Sequence, residues 1–194
     1  MPKKPEREYR AMPLMNGNEY RAEGYATTFN DPYVLFRDED VTYYESIEPT
    51  AIDEKTDMSD VIMQFDHEGM VFARMSNGTL EIFSDDHGLR VEADLSKTAD
   101  ARNMFENISS GMVKDMSWAF SVDGQRYDKE SHTRIITHVR KVFDVSAVSI
   151  PANPSTEIMA ARSFINGEIE KEIKEFEIRE AKKSKLRLLL ELGK

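Results

Sequence analysis

A serine, a histidine and an aspartate can form a hydrolytic centre when the imidazole takes the hydroxyl proton and the carboxylate holds the imidazole in the right tautomer. The chain carries a candidate for each. Ser117 lies in Met-Val-Lys-Asp-Met-Ser-Trp-Ala-Phe-Ser-Val, residues 112–122. From Met116 the pattern alternates, with Met116, Trp118, Phe120 and Val122 on one face of a strand and Ser117, Ala119 and Ser121 on the other. The apolar face holds the only Trp and is expected to be the buried one. Ser117 should therefore ride on a rigid strand, pointing away from its anchor with small Ala119 beside it. That mounting suits a nucleophile. Local pattern alone favours the plainer reading, a serine on the wet face of a half-buried strand, since serine is common there and a nucleophile needs partners.

Four histidines compete for the role of base. His67 closes the apolar run Val61–Phe65 at a loop, where the core can position a ring that still reaches into a cleft. His87, in Asp85-Asp86-His87-Gly88, and His132, in a polar turn, are expected at the surface. His138 lies in mid-strand and could serve either purpose. Asp144 stands in Lys-Val-Phe-Asp-Val-Ser-Ala-Val-Ser-Ile, residues 141–150, and a carboxylate in such a run needs a partner if it is buried. That partner could be a histidine, or Arg140 or Lys141 in a salt bridge. A second chemistry, metal-dependent hydrolysis on Asp66, His67, Asp85 or His87, lacks a recognised ligand spacing such as His-Glu-x-x-His. The absence of cysteine excludes disulfides, thiolate zinc sites and a cysteine nucleophile.

The elements that must carry these residues come from a chain of 194 residues, 40% hydrophobic and 32% charged, enough for one core plus an appendage. A net charge of -10 argues against a nucleic-acid partner. No apolar run is long enough to span a membrane, and the charged N-terminus does not read as a signal peptide, so a soluble, intracellular protein is expected. Residues 1–18 are polar and read as a mobile arm, 19–166 as the domain, and 167–194 as a C-terminal helix. Within the domain, Tyr20–Phe29 (with Gly24 as a bulge or close approach), Thr42–Ile47 and Val61–Phe65 have strand character, and Ile52–Ser59 reads as a short helix or irregular loop. Met70–Met75 and Thr79–Phe83 read as a hairpin closed by a type I′ turn at Asn77-Gly78. Leu89–Leu95 alternates with Leu89, Val91, Ala93 and Leu95 inward. Thr98–Ser110 is predicted helical, with Ser96 or Thr98 as cap, Gly111 as stop, and Ala101, Met104, Phe105, Ile108 and Met112 as its apolar stripe.

After the Ser117 strand, Asp123-Gly124 and Lys129–His132 read as turns, and Arg134–Ile150 as a long strand ending at Pro151. Asn153 as cap and Pro154 at the first helical position launch a helix through Ile158, Ala161 and Ile165, with Gly167 separating off the last segment. Glu168–Leu192 is acidic in its first half and basic in its second, which suits the helix dipole. Its apolar stripe needs a partner, either its own domain or another copy.

A set of short motifs then occurs in order: Gln64-Phe65-Asp66-His67, residues 73–80, residues 88–95, Met116-Ser117-Trp118-Ala119-Phe120, and residues 144–154 ending Pro-Ala-Asn-Pro. With Glu23-Gly24-Tyr25-Ala26 and residues 45–51 as opening strands, the stretch from about Tyr20 to Ala160 resembles the prohead serine proteases of tailed phages, which share a structural clan with herpesvirus assemblin. The resemblance implies an α+β fold: a mainly antiparallel β-barrel flanked by helices, closed or nearly so, with a C-terminal helical tail. It implies Ser117 as nucleophile, His67 as general base and Asp144 as the acid that orients it. His138 stays in competition for that third place, because herpesvirus-type relatives use a second histidine. Two positions depart from the family pattern. Ala119 stands where a glycine is usual, and Asp144 is one methylene shorter than the usual glutamate.

The implied function is cleavage of the scaffold region of the major capsid protein, and of the protease's own chain, inside the immature shell in the host bacterial cytoplasm. No cofactor, nucleic acid or membrane is implied. The C-terminal helix would retain the enzyme among scaffold helices or join two copies. The rival expectation is a non-catalytic assembly module of the same fold.

Overall fold

The computed structural model describes residues 8–16, 20–149 and 154–192. Its strands are β1 (Glu8–Asn16), β2 (Arg21–Thr28), β3 (Tyr33–Asp38), β4 (Val41–Ile47), β5 (Ile62–Phe65), β6 (Glu68–Arg74), β7 (Leu80–Ser84), β8 (Gly88–Asp94), β9 (Asp115–Asp128) and β10 (Thr133–Val148). Helix α1 (Ala99–Ser109) precedes β9, and α2 (Pro154–Leu192) follows β10. The chain forms two compact units, Met1–Ile158 and Met159–Lys194.

The fold is α+β, a mixed sheet with pairing order β3-β4-β10-β9-β1-β2-β8-β7, to which β5 adds on β10 and β6 on β5. β10 is long enough to take two parallel neighbours, β4 along Thr133–Ile136 and β5 at Asp144 and Ala147, while β9 runs antiparallel to it. β1 also changes partner, pairing with β9 through Pro13 and with β2 from Leu14. The expected barrel is not closed. β6 and β7 follow each other in the chain yet form no ladder among the described residues, so the sheet stays open.

That opening corrects the expected hairpin. β6 pairs with β5, and β7 with β8. A type I′ turn needs positive φ at both central residues. Here only Gly78 has it (φ 73), capping a 3-10 turn over Met75–Asn77. Asn77 instead accepts hydrogen bonds from Thr79 N and Oγ1. The expected turn at Asp123-Gly124 is likewise absent: β9 continues through it to Asp128. A Cβ at Gly124 would lie 2.8 Å from both His138 Cβ and Thr137 Oγ1, so the glycine serves a close approach within a bulged ladder.

Residues 8–16 of the expected arm form a strand, ordered along Glu8–Pro13 by β9, which lies far away in sequence, and along Leu14–Asn16 by the adjacent β2. α2 runs unbroken through Gly167, since one glycine in a helix costs only about 1 kcal/mol against alanine. Asn153, the expected cap, lies outside the described residues.

Other local readings hold. β8 buries Leu89, Val91 and Ala93 and turns Arg90, Glu92 and Asp94 outward. Thr98 caps α1, its Oγ1 accepting from Ala101 N, and the helix buries Ala101, Met104 and Ile108. Met112 leaves the predicted stripe and is 74% exposed, because it lies past Gly111, where the helix has ended. The core gathers Met116, Trp118 and Phe120 of β9 with Leu89 and Val91 of β8 and Met104 and Ile108 of α1.

Candidate active site

The register of β9 on β10 sets the site. Ser117 pairs with Ser146 and Ala119 with Asp144, with a bulge between Val142 and Asp144. Directly opposed residues point to the same face of a sheet. Ser117, Ala119, Asp144 and Ser146 therefore share one face, and Met116, Trp118, Val145 and Ala147 the other. Trp118 stacks on Phe120 there, with ring centroids 3.9 Å apart. The face of Ser117 was expected to be wet, but Ser117 is 0% exposed and Asp144 3%. β9 lies between two neighbours inside the sheet and is covered on both faces. Ser117 Oγ is buried with no hydrogen-bond partner among the described residues.

His67 reaches this face from β5, which lies against β10 with Phe65 opposite Ala147. Phe65 pairs with Glu68, so Asp66 and His67 alone make the turn into β6, and both have positive φ (47° and 61°). Two non-glycine residues in that region are strained. The strain is offset by ties to β10: Asp66 N donates to Ala147 O at 3.0 Å, and the Asp66 carboxylate accepts from Ser149 N and Ser149 Oγ, both at 3.0 Å. From this turn His67 Nδ1 meets Asp144 Oδ1 at 2.6 Å. A carboxylate only accepts, so Nδ1 carries the hydrogen and a neutral ring keeps Nε2 as its acceptor.

A half-buried histidine bonded to a buried aspartate thus sits beside a strand register that also carries a serine. The model of the caudovirus prohead serine protease family matches residues 7–170. The chain belongs to that family. No curated protein matches it, and no solved structure does. Prohead proteases are serine peptidases that act in the immature capsid of tailed phages. The match takes in every strand of the sheet, β1 included, and stops early in α2.

The other candidates for this family member's site lie elsewhere. His138 Nδ1 bonds Asp123, and its Nε2 lies 3.4 Å from Asp53. It is eight residues along β10 from Ser146, about 26 Å of extended chain, so the structure does not bring it to Ser117. The hydrogen bond to Asp123 raises its pKa above the ordinary histidine value against slight desolvation. Lys141, a suggested salt-bridge partner of Asp144, pairs with Asp57 at 2.6 Å, and Arg140 donates to Ser121 Oγ at 3.4 Å. His87 packs edge-on to Tyr25 beside the Asp85 turn, and His132 sits in the exposed β9–β10 turn near Tyr127. Among the described residues no group of three or more His, Asp or Glu is placed to hold a metal ion.

Pattern reading did not single out Ser146, and it took Asp66 only as a possible metal ligand and part of a motif, not as the anchor of the His67 turn. Ser146 Oγ donates to Asp144 Oδ1 at 2.7 Å. A signal existed for both: Asp-x-Ser in a strand puts two polar groups on one face, and Asp-His between two apolar strands has the length of a two-residue turn.

Proposed function

We propose that this protein is a serine endopeptidase that cleaves the scaffold region of the major capsid protein, and its own chain, in the immature phage shell. Ser117 is the nucleophile, His67 the general base and Asp144 the orienting acid. The 2.6 Å contact between His67 and Asp144, made on the face that Ser117 shares, carries the reading.

In the reaction Ser117 Oγ attacks the scissile carbonyl carbon while its proton passes to His67 Nε2. The imidazolium, held through Nδ1–H by Asp144, then protonates the leaving amine as the peptide bond breaks. Water, deprotonated by the same ring, hydrolyses the acyl-enzyme and restores the serine. Asp144 contributes by holding the ring and by stabilising its charged form, and a shorter acid suffices because the Asp66-His67 turn is tied down beside it.

Co-expression with the major capsid protein tests this by intact mass. The wild type should yield a truncated capsid protein, and Ser117→Ala only the full-length one. The burial of Ser117 favours a second reading, a non-catalytic assembly module, and processing that survives Ser117→Ala would select it.

The C-terminal unit supports a retention role. Ile173, Phe176 and Ile178 of α2 are exposed, the largest being Phe176 at 62%, and this stretch lies beyond the family match. We assign it to association with the scaffold region, with self-association as the competing partner. Deleting the residues after Gly167 should abolish incorporation into shells while sparing peptide cleavage. Unchanged incorporation rejects the role, and loss of a dimer on sizing would indicate self-association instead.

A further inference from the structure

We propose that Ser146 is a positioning residue of this centre, one that fixes His67 through Asp144; the inference rests on the catalytic reading above. Ser146 is fully buried, and its Oγ donates to Asp144 Oδ1 at 2.7 Å. That same oxygen receives His67 Nδ1 at 2.6 Å. The terminal torsion of an aspartate is soft, so one hydrogen bond leaves the carboxylate free to rotate its oxygens out of the imidazole plane. A second donor, arriving along the strand from residue i+2, fixes that rotation.

The cost of mis-rotation is specific to chemistry. The ring would lose the acceptor that keeps its hydrogen on Nδ1, and with it the Nε2 lone pair that must face a hydroxyl. Ser146 also stands directly opposite Ser117, with Cβ atoms about 5 Å apart by strand geometry. Its single hydrogen is committed to Asp144, so it offers none to the nucleophile. A serine that merely satisfies itself in the core would have the same burial but no coupling to turnover.

Covalent labelling of Ser117 by a fluorophosphonate, followed by intact mass, separates these roles because it needs no identified peptide substrate. Ser146→Ala should lower kinact about tenfold, as expected for a lost hydrogen bond to a charged acceptor, and leave KI unchanged. Ser146→Thr, which keeps a hydroxyl, should recover most of the rate, whereas Ser146→Val, of nearly the same shape, should not. This pair also decides the matter if the alanine variant folds poorly. In an Asp144→Asn background, Ser146→Ala should cost nothing further, since it acts through that carboxylate. A wild-type rate in Ser146→Ala, or a tenfold loss that persists beside Asp144→Asn, overturns the inference alone. Absence of labelling at Ser117 in the wild type overturns the catalytic reading and this inference with it.

Discussion

Arg134 and Asp144 are both buried charges on β10, ten residues apart, and their surroundings differ in kind. Around Arg134 every charge is answered. Its Nη1 reaches Glu8 Oε2 at 2.5 Å and Glu45 Oε2 at 2.6 Å, its Nη2 reaches Glu8 Oε1 at 2.9 Å, and its Nε donates to Gln125. Arg10 bonds Glu45 through Nε and Nη2 at 2.6 and 2.8 Å, and Tyr33 donates to the same carboxylate. All four carboxylate oxygens of Glu8 and Glu45 are used, and the network ties β1, β3, β4, β9 and β10 together. At the other end of the strand Asp144 holds a ring and a hydroxyl on one oxygen, beside a buried serine oxygen with no partner among the described residues. A saturated network specifies register and strand order. An unsaturated one leaves a buried polar atom unmatched.

The comparison can be broken first at the site. Asp144→Asn should lower Ser117 labelling by about 10²–10⁴-fold, the range set by losing the correct tautomer. His138→Gln, on the same strand, should leave the rate unchanged, and equal losses in the two variants would refute the distinction between them. Arg134→Met addresses the saturated end. It leaves Glu8 and Glu45 with one guanidinium between them and should cost about 3–5 kcal/mol in urea unfolding, with labelling per folded molecule preserved. A loss under 1 kcal/mol would mean that the network contributes little.

A smaller effect follows from Glu45. Burial pushes its carboxyl up, but the charges of Arg10 and Arg134 outweigh burial and hold it at about 2, below its ordinary 4.5. A depressed acid stabilises the fold above the unfolded value and loses that contribution as pH falls through the folded one. Stability should therefore drop between about pH 4.5 and pH 2, measured as the urea midpoint across a pH series. In Arg134→Met the drop should be smaller and should end at higher pH, because only the folded value rises, and an unchanged acid limb would count against this assignment.

Much of the local structure was legible because its causes are local. Leu89, Val91 and Ala93 declared their shared face by alternation, and Thr98 declared a helix start by its side-chain oxygen. Asn77-Gly78 misled for the same reason: the dipeptide permits a type I′ turn, and the turn that forms depends on which strands take up β6 and β7. The double positive-φ turn is built instead at Asp66-His67, where side-chain and backbone bonds to Ala147 and Ser149 outweigh the strain. Residues 8–16 looked like an arm because nothing within the segment reveals that Glu8 and Arg10 meet Glu45 and Arg134.

Residue types and short-range periodicity were enough to nominate Ser117, His67 and Asp144, since a nucleophile, a base and an acid are properties of single side chains and an alternating strand needs only its neighbours. Which histidine meets which carboxylate was decided by tertiary structure. Parallel addition of β5 to β10 joins residues 77 apart, setting His67 on Asp144 while His138, the rival for the third place, meets Asp123, and the β9–β10 register sets Ser146 opposite Ser117. Pairing between distant strands leaves no periodic trace in either one, because the backbone groups that make it are the same in every residue.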